Sequence, residues 1–427
     1  MKKKLRIGIN AQIPSGSGAG GIETVLRALT PLGRLEDGDE EYIFITHWSD
    51  PDWLKPLLTG RQKIVSAPKP RLINESNPTT SLELLKQKAK HLARRVRCFI
   101  APPKVKISVP VSDGFYESLN CDVIHFPYQD YVHCRVPTVY NPHDLQHLHH
   151  PEFFTEHEFK RREIIYPEAC RAARIVVAAS QYVRRDIAEK YKIDAKKIQV
   201  IAWSPAEADL YEFTETEANS LLEKYDCPPR PFMLYPAMTW EHKNHLRLIE
   251  AIYSLREREN LKINLVCTGH KNAFYPQIEK RLRELNLENQ IRFTGIVEYK
   301  ELSIFYRSAQ FVIIPTLFEA MSAPLFEAWQ YGVPVACSSV TSLPEQAADA
   351  ALLFDPFSVE EIIGAIKKMA SGENLRVQLR ELGFQRLMNF NRERTAKAYR
   401  AVYRQAAGIK LNEEDAYLLN TDWTRDS

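Results

Sequence analysis

Residues 311–328 read FVIIPTLFEAMSAPLFEA and predict a buried strand that passes through a short turn into a helix. The run from Phe311 to Ile314 is continuously apolar, which is typical of a parallel strand covered on both faces. Ser322 can cap the helix that follows, and Pro324 lies in its first turn. The stretch therefore predicts one unit of a parallel α/β sheet, with polar residues at the carboxyl end of its strand.

The same alternation of short β-rich runs and helical stretches extends along the chain. Residues 204–231 are rich in Glu, Asp, Pro and Ser, and they interrupt this rhythm between the two halves. We therefore predict an α/β fold with two doubly wound, Rossmann-like domains that face a central cleft. The expected domains are residues 1–210 and 211–392, and the last helical stretch, about 393–427, is expected to pack back on the first domain.

Composition and charge exclude several classes of protein. The 427 residues include 57 Lys and Arg against 54 Asp and Glu, so the net charge of +3 argues against a nucleic-acid binder held by bulk charge. The longest apolar runs stay well below the ~18 residues of a membrane-spanning helix. The seven cysteines form no C-x-x-C pair, which fits a reducing compartment and excludes a Cys-built zinc site. A cytoplasmic multidomain protein is expected.

A glycine-rich loop follows the first predicted strand. Gly16, Gly18, Gly20 and Gly21 leave bare N–H groups at the start of a helix, a combination that suits phosphate oxygens. The spacing also matches the dinucleotide fingerprint, with Asp50 as the ribose acid, so an NAD-dependent enzyme remains an alternative. A glycine-rich surface loop without a ligand is the third interpretation.

Four histidines, at positions 143, 147, 149 and 150, follow the fifth predicted strand. A metal site is disfavoured because no Cys lies nearby and no H-E-x-x-H helix is present. We expect no metal. His143 stands apart, because it comes first after the strand end, where a residue of the cleft is expected, and a neutral imidazole there can bind a hydroxyl.

The second half supplies a cation and two carboxylates after strands. Lys243 lies at the start of a helix, where it opposes the helix dipole but suits a phosphate; a solvated surface lysine is the alternative. Glu319 precedes the helix that contains Glu327, so helix N–H groups lie between the two carboxylates. That arrangement can hold a phosphate by amides and hydroxyl groups by carboxylates. Ser342 and Glu345 fit a capping box, a structural role.

Five stretches of the chain share one pattern of similarity: LFEAMSAPLFEAWQYGVPVACSSVTSLPEQAADAALLFDP, GAGGIETVLRAL, PHDLQHLHHPEFF, AASQYVRRDIA and YPAMTWEHKNHLRLIEAI. They resemble the signature of the family-4 (glycogen synthase-like) retaining glycosyltransferases. The matches extend from about residue 6 to residue 405, and the E-x7-E spacing of Glu319 and Glu327 is specific. The resemblance implies the GT-B fold, with an acceptor-side first domain and a second domain that binds the nucleotide sugar.

The resemblance also implies roles for individual residues. Glu327 is expected to hold the nucleotide ribose, and Glu319 to contact the transferred sugar near the reacting carbon. Lys243 is expected to neutralise the diphosphate, and His143 to bind a sugar hydroxyl or face the acceptor. The amides of Gly20 and Gly21, and those of residues 324–326 where an N–H exists, are expected to line the phosphates. The donor-binding residues are expected to include Ser322, Ala323, Pro324 and Leu325 as well.

The expected reaction moves a hexosyl unit from a nucleotide diphosphate sugar to a glycan or lipid-linked acceptor, with retention and without a metal or cofactor. A UDP-hexose is the first expectation for the donor and GDP-mannose the second. A non-catalytic nucleotide-sugar-binding protein is the other alternative. A glycoside hydrolase could also use two carboxylates but needs neither the glycine loop nor Lys243.

Two departures from the family pattern concern the site. Ala320-Met321-Ser322 stands where the family usually has Gly-Phe-Gly, and Met238 where it commonly has an arginine partner for the lysine. The missing arginine implies either a weaker hold on the phosphate or a substitute such as Arg161 or Arg162.

Residues 85–99, Leu85 to Phe99, carry apolar side chains at helical spacing and six basic residues around them. A basic amphipathic helix can lie on anionic lipid, which would make the protein peripheral on the inner face of the membrane. A helix that covers its own domain with a solvated charged face is the alternative, and it is slightly favoured.

Overall fold

The computed structural model describes residues 4–13, 20–69, 107–205 and 211–422, which form two parallel sheets with helices packed against them. The first sheet has the order β3-β2-β1-β4-β5-β6-β7. Its strands are β1 (Arg6–Ala11), β2 (Glu41–Thr46), β3 (Gln62–Ser66), β4 (Val123–Phe126), β5 (Thr138–Tyr140), β6 (Ile175–Ala178) and β7 (Ile198–Val200).

The second sheet has the order β10-β9-β8-β11-β12-β13, and every described strand pair of both sheets is parallel. Winding reverses between β1 and β4 and between β8 and β11, so each sheet is doubly wound. The predicted α/β fold is confirmed. The strands are β8 (Phe232–Pro236), β9 (Asn264–Thr268), β10 (Ile291–Gly295), β11 (Phe311–Ile314), β12 (Val335–Ser338) and β13 (Leu352–Phe354).

Helices connect the strands in both halves. Those of the first half are α1 (Gly20–Leu29), α2 (Phe115–Ser118), α3 (Gln146–His149), α4 (Glu156–Ala172) and α5 (Gln181–Tyr191). The later ones are α6 (Glu215–Lys224), α7 (His245–Glu259), α8 (Tyr275–Glu284), α9 (Tyr299–Ser308), α10 (Ala323–Gln330), α11 (Leu343–Ala347), α12 (Val359–Ser371), α13 (Glu373–Leu387), α14 (Arg392–Ala406) and α15 (Glu413–Asn420). In the described part of the chain, none of these helices has the length and apolar character needed to cross a bilayer.

Short 3-10 turns connect some of these elements. They comprise Thr30–Arg34, Lys55–Leu57, Pro151–Phe153, Ala195–Lys197 and Glu241–Lys243. The last of these lies between β8 and α7, and it carries Lys243 to the carboxyl end of the second sheet.

Burial follows the apolar runs of the sequence. All four residues of β4, β6 and β11 are buried, as expected for strands with helices on both faces. Because the side chains of these strands are enclosed by helices, the chemistry is left to the loops that follow them.

Helix α14 packs against the first sheet rather than the second. Tyr403 hydrogen-bonds His125 of β4, its hydroxyl 2.8 Å from Nδ1, and the Asn141 amide donates to the Tyr399 hydroxyl at 2.9 Å. Burial lowers the pKa of His125 to about 3, so this histidine is neutral at physiological pH. Helix α14 is thus joined to the first sheet through buried hydrogen bonds between neutral groups.

Candidate active site

Two of the predicted residues meet where the second sheet reverses its winding. The Lys243 ammonium donates to Oε1 of Glu319, although the two residues are 76 positions apart in sequence. Their side chains are only 18% and 10% exposed, so the pair is largely shielded from solvent. An ammonium and a carboxylate therefore lie together at the carboxyl ends of β8 and β11.

The backbone around Lys243 is fixed by neighbouring polar groups. The Tyr235 hydroxyl donates to the Lys243 carbonyl at 2.9 Å, and Asn244 has a left-handed φ of 62°. The Asn244 side-chain amide donates from Nδ2 to the carbonyls of Pro315 and Pro356, both at 2.9 Å. Asn tolerates this conformation better than most residues. Asn244 thus ties the Lys243 turn to the exit of β11, a role that the sequence analysis missed.

The Glu319 backbone is held by side chains from the loop after β12. The Glu319 amide donates to the Thr341 hydroxyl at 3.0 Å. The Glu319 carbonyl accepts from the Thr341 hydroxyl at 2.8 Å and from the Ser342 hydroxyl at 2.6 Å. The predicted capping box of Ser342 and Glu345 is wrong, because Ser342 bonds to Glu319 and makes no cap of α11.

Ser322 occupies the N-cap position of α10, but its side chain does not cap the helix. The Ser322 amide donates to Oε1 of Gln346 at 3.0 Å, and within the described residues its buried hydroxyl has no hydrogen-bond partner. The prediction that the Ser322 side chain caps the helix is therefore wrong. Pro324 lies in the first turn as expected. The first N–H groups of such a helix have no partner within it and favour an anion.

Glu327 lies on α10, and one of its oxygens is fixed. The Tyr306 hydroxyl donates to Oε2 at 2.7 Å, and the Tyr306 ring stacks on Tyr331 at 5.1 Å. Burial raises the pKa of Glu327, against a smaller opposing effect of the Tyr306 hydrogen bond. Tyr306 was not found from the sequence, because a hydroxyl 21 residues away leaves no local pattern.

His143 is buried after β5 with a left-handed φ of 70°. Its Nε2 lies 2.8 Å from the carbonyl oxygen of Pro127. Because a carbonyl only accepts, Nε2 carries the proton and Nδ1 is the acceptor. Burial lowers the pKa of His143, which favours the neutral ring. The Trp203 ring meets it edge-on at 5.2 Å, and the Trp203 amide donates to the Met321 sulfur at 3.1 Å.

The other three histidines of the predicted cluster have separate partners. His147 lies 3.1 Å from Glu163, His149 lies 2.8 Å from Asp186, and His150 lies 3.0 Å from Glu152. Across residues 4–13, 20–69, 107–205 and 211–422, no group of three or more His, Cys, Asp or Glu side chains could hold a metal ion.

The two arginines expected to assist Lys243 are engaged with acids of the first half. Arg161 pairs with Asp130, and Arg162 lies 3.0 Å from Glu158 and 3.5 Å from Asp144. These ion pairs therefore argue against Arg161 or Arg162 as the residue that takes the place of the arginine that the family commonly has beside the lysine.

Some predicted features are described only in part or not at all. Gly20 and Gly21 form the start of α1, whereas Gly16 and Gly18 lie outside the described residues. The amphipathic stretch 85–99 also lies outside them.

The loops of the two sheets meet each other around this site. The Phe318 ring lies 5.6 Å from His149 and 6.2 Å from Tyr182. The Glu345 carboxylate accepts from the amides of Gln181 at 2.7 Å and Tyr182 at 3.0 Å, at the start of α5. Loops of the first sheet therefore contact the segment that holds Glu319.

Two family models match the chain, one on each half. The model described as Glycosyltransferase Family 4 matches residues 19–202, and the model described as Glycosyl transferases group 1 matches residues 225–386. The first match contains His143, and the second contains Lys243, Glu319 and Glu327.

Curated relatives are similar at low identity. O-antigen chain mannosyltransferase B of Escherichia coli is 27% identical over 263 residues, which are 58% of this chain and 68% of the relative. O-antigen chain mannosyltransferase RfbU of Salmonella typhimurium is 23% identical over 242 residues, which are 56% of this chain and 63% of the relative. The chain thus spans about two thirds of the length of these curated relatives.

The fold is also similar to that of solved structures. The crystal structure of Anabaena HepE in complex with UDP and glucose has a TM-score of 0.64 at 14% identity, over 94% of this chain and 100% of that chain. At this identity the likeness extends to the arrangement of the two sheets and their helices.

Proposed function

The chain belongs to the family-4 (glycogen synthase-like) glycosyltransferases with the GT-B fold, and we propose that it transfers a hexosyl unit from a nucleotide diphosphate sugar with retention at the anomeric carbon. The acceptor that we propose is a glycan or a lipid-linked glycan in polysaccharide or glycoconjugate biosynthesis. The contact between Lys243 and Glu319 supports this proposal, because an ammonium and a carboxylate that such a transfer would use lie side by side.

Departure of the nucleoside diphosphate is the charge-separating step, and Lys243 is placed to assist it. An ammonium and the free N–H groups of a helix start can stabilise the developing negative charge on the leaving oxygen. Lys243 lies at the exit of β8, and the first turn of α10 follows the exit of β11 next to it in the sheet. A diphosphate between them competes with Glu319 for the ammonium, and it leaves the Glu319 carboxylate facing the sugar.

The two carboxylates then have separate tasks. Glu327 is held through Oε2 by Tyr306, so Oε1 is oriented to accept from a ribose hydroxyl. Glu319 contacts the transferred sugar near its reacting carbon. No side chain is required as a covalent nucleophile, since the acceptor attacks from the face that the phosphate leaves. An oxygen of the departing phosphate takes the acceptor proton.

His143 acts on the side of the first sheet. Its neutral ring presents Nδ1 as an acceptor, while the Pro127 carbonyl holds Nε2–H. A hydroxyl of the transferred sugar can donate to Nδ1, and the proton balance of the reaction is unaffected. The role of His143 is thus orientation rather than general base catalysis.

The relatives favour one sugar over the others. Two of them are O-antigen chain mannosyltransferases, which favours mannose over the other hexoses and GDP-mannose over the UDP-hexose expected from the sequence. Thermal shift of the purified protein with UDP-glucose, UDP-galactose, GDP-mannose and NAD identifies the donor class. Release of nucleoside diphosphate with a panel of glycan acceptors then measures transfer.

The anomeric configuration of the product completes the test. We expect one nucleotide sugar to raise the melting temperature and to be consumed with retention, and the Glu319→Gln variant to bind this donor but to transfer orders of magnitude more slowly, at a residual rate that can still be measured. Binding of the donor without turnover on any acceptor, or a product of inverted configuration, contradicts the proposal. A melting-temperature rise with NAD alone would favour the dinucleotide alternative.

A further inference from the structure

Both backbone polar groups of Glu319 are satisfied by one side chain. The Thr341 hydroxyl accepts from the Glu319 amide at 3.0 Å and donates to the Glu319 carbonyl at 2.8 Å. A hydroxyl has one proton and two lone pairs, so it can make both bonds at once. A residue 22 positions away therefore fixes the peptide groups on both sides of the Glu319 side chain.

Thr341 makes these bonds from a strained backbone conformation. Its φ is +54°, in the left-handed region that β-branched residues rarely adopt. Glycine would adopt this conformation without strain. Strain of this kind persists where the surrounding structure requires it, and it clusters at functional sites. The hydroxyl of Thr341 is the feature that glycine would lack.

Ser342 and Gln346 add further hydrogen bonds to the backbone of residues 319–322. The Ser342 hydroxyl also donates to the Glu319 carbonyl, and Gln346 donates to the Ser342 hydroxyl at 2.8 Å. Gln346 further bonds the Ala320 carbonyl at 3.2 Å and the Ser322 amide at 3.0 Å. Among the hydrogen bonds described for this loop, the Glu319 backbone N–H donates to the Thr341 hydroxyl.

We propose that Thr341 is a positioning residue for the transfer reaction, which holds the Glu319 carboxylate at the reacting carbon of the sugar. This inference rests on the proposed function of Glu319. Thr341 acts through the backbone of Glu319 and is not itself a catalytic residue.

Three substitutions separate the hydroxyl from the strain. Thr341→Ser keeps the hydroxyl, Thr341→Val keeps the shape, and Thr341→Gly removes the hydroxyl together with the strain. We expect Thr341→Ser to transfer at nearly the parental rate. For Val and Gly we expect kcat to fall about 10- to 100-fold, since a misplacement of about 1 Å can cost about 100-fold. Donor KM should change little. Thr341→Gly should melt at or above the parental temperature despite its lower kcat.

The matched control is Thr214→Val. The Thr214 hydroxyl also accepts from an amide, that of Glu217 at 3.2 Å, and donates to an oxygen, Oε2 of Glu217 at 3.1 Å, but it does so at the start of α6. We expect this variant to melt at a lower temperature with an unchanged kcat. The control thus separates the effect of losing any threonine hydroxyl that makes two hydrogen bonds from the effect of losing the two hydrogen bonds to the Glu319 backbone.

The outcomes distinguish this inference from the proposed function. A Thr341→Val or Thr341→Gly variant with parental kcat overturns the positioning role, whatever Glu319 does. A Glu319→Gln variant that transfers at the parental rate overturns the role of Glu319 itself. If Thr341 acts through Glu319, the Thr341→Val effect on kcat disappears in the Glu319→Gln background, as expected for coupled residues. Independent, multiplicative losses in the double variant contradict the inference.

Discussion

Replacement of Lys243 by methionine tests the proposed catalytic effect of the ammonium and separates it from the structural effect. The side chain is 18% exposed, so its interaction with a diphosphate lies between the limits for water and for a dry interior. At about 4 Å and an effective dielectric constant of about 20, one pair of unit charges contributes about 4 kcal/mol. Loss of one stabilising donor from an active site typically costs about 2.7–4 kcal/mol, or about 100- to 1,000-fold in kcat.

The same replacement leaves the Glu319 carboxylate without its partner. Loss of one member of a buried ion pair costs about 3–5 kcal/mol, and the partial exposure of this pair reduces that figure. We therefore expect Lys243→Met to fold with a lower melting temperature. The double variant Lys243→Met with Glu319→Gln has no unpaired charge, so its melting temperature should recover while its transfer rate stays low.

The assay is steady-state release of nucleoside diphosphate at saturating donor and acceptor, with thermal unfolding of the same samples. The control variant is Lys397→Met, which removes an ammonium far from the site. Lys397 pairs with Glu393 and Glu414 on the C-terminal helices, so its loss should leave kcat unchanged. Parental kcat in Lys243→Met refutes the role of the ammonium. A double variant less stable than Lys243→Met refutes the pairing.

Other contacts support three further predictions. Because burial raises the pKa of Glu327, its carboxylate is protonated at a higher pH than that of an ordinary glutamate. Donor KM should therefore rise as pH falls through that raised pKa. In Glu327→Gln, this rise of donor KM at acid pH should be absent. Glu345→Ala removes the acceptor of two amides of α5, so the loss of a helix cap, about 0.5–2 kcal/mol, should appear as a lower melting temperature and a larger radius of gyration in X-ray scattering. Arg404→Met leaves the buried carboxylates of Glu40 and Asp415 unpaired, so it should destabilise by about 3–5 kcal/mol, against at most about 1 kcal/mol for Lys397→Met, in thermal unfolding.

Each of these predictions has a contradicting result. If donor KM still rises at acid pH in Glu327→Gln, the pH dependence belongs to another group. Glu361 accepts from the Asp355 amide at 2.7 Å within the second half, so Glu361→Ala should lower the melting temperature without expansion. Equal expansion of the two alanine variants would contradict a link between the halves through Glu345. Equal melting temperatures for Arg404→Met and Lys397→Met would contradict the burial argument.

The sheets were predictable because their signal is local. The continuous apolar run from Phe311 to Ile314 marks a strand covered on both faces, and the structure has this strand at the same residues. The contact between Lys243 and Glu319 follows from the rule that loops at the carboxyl ends of neighbouring parallel strands meet. Strand β11 pairs with β8, which brings the two loops side by side.

The errors arose where a distant partner competes with a local one. Ser342 and Glu345 have the spacing of a capping box, but the Glu319 carbonyl takes the Ser342 hydroxyl, and two amides of α5 take the Glu345 carboxylate. Both partners come from elsewhere in the chain, so the spacing within the motif carries no information about them. Thr341 was missed as well, because a threonine in the sequence does not indicate a left-handed backbone conformation.

The return of α14 to the first sheet restricts how the two halves can move. The polypeptide passes from the first half to the second after β7 and comes back before Arg392, so two separate crossings join them. A body attached at two points rotates about the line that connects them, whereas a single tether would permit free tumbling. Movement of one half relative to the other is thus confined to few directions, and a single cut at either crossing would leave the halves still joined by the other.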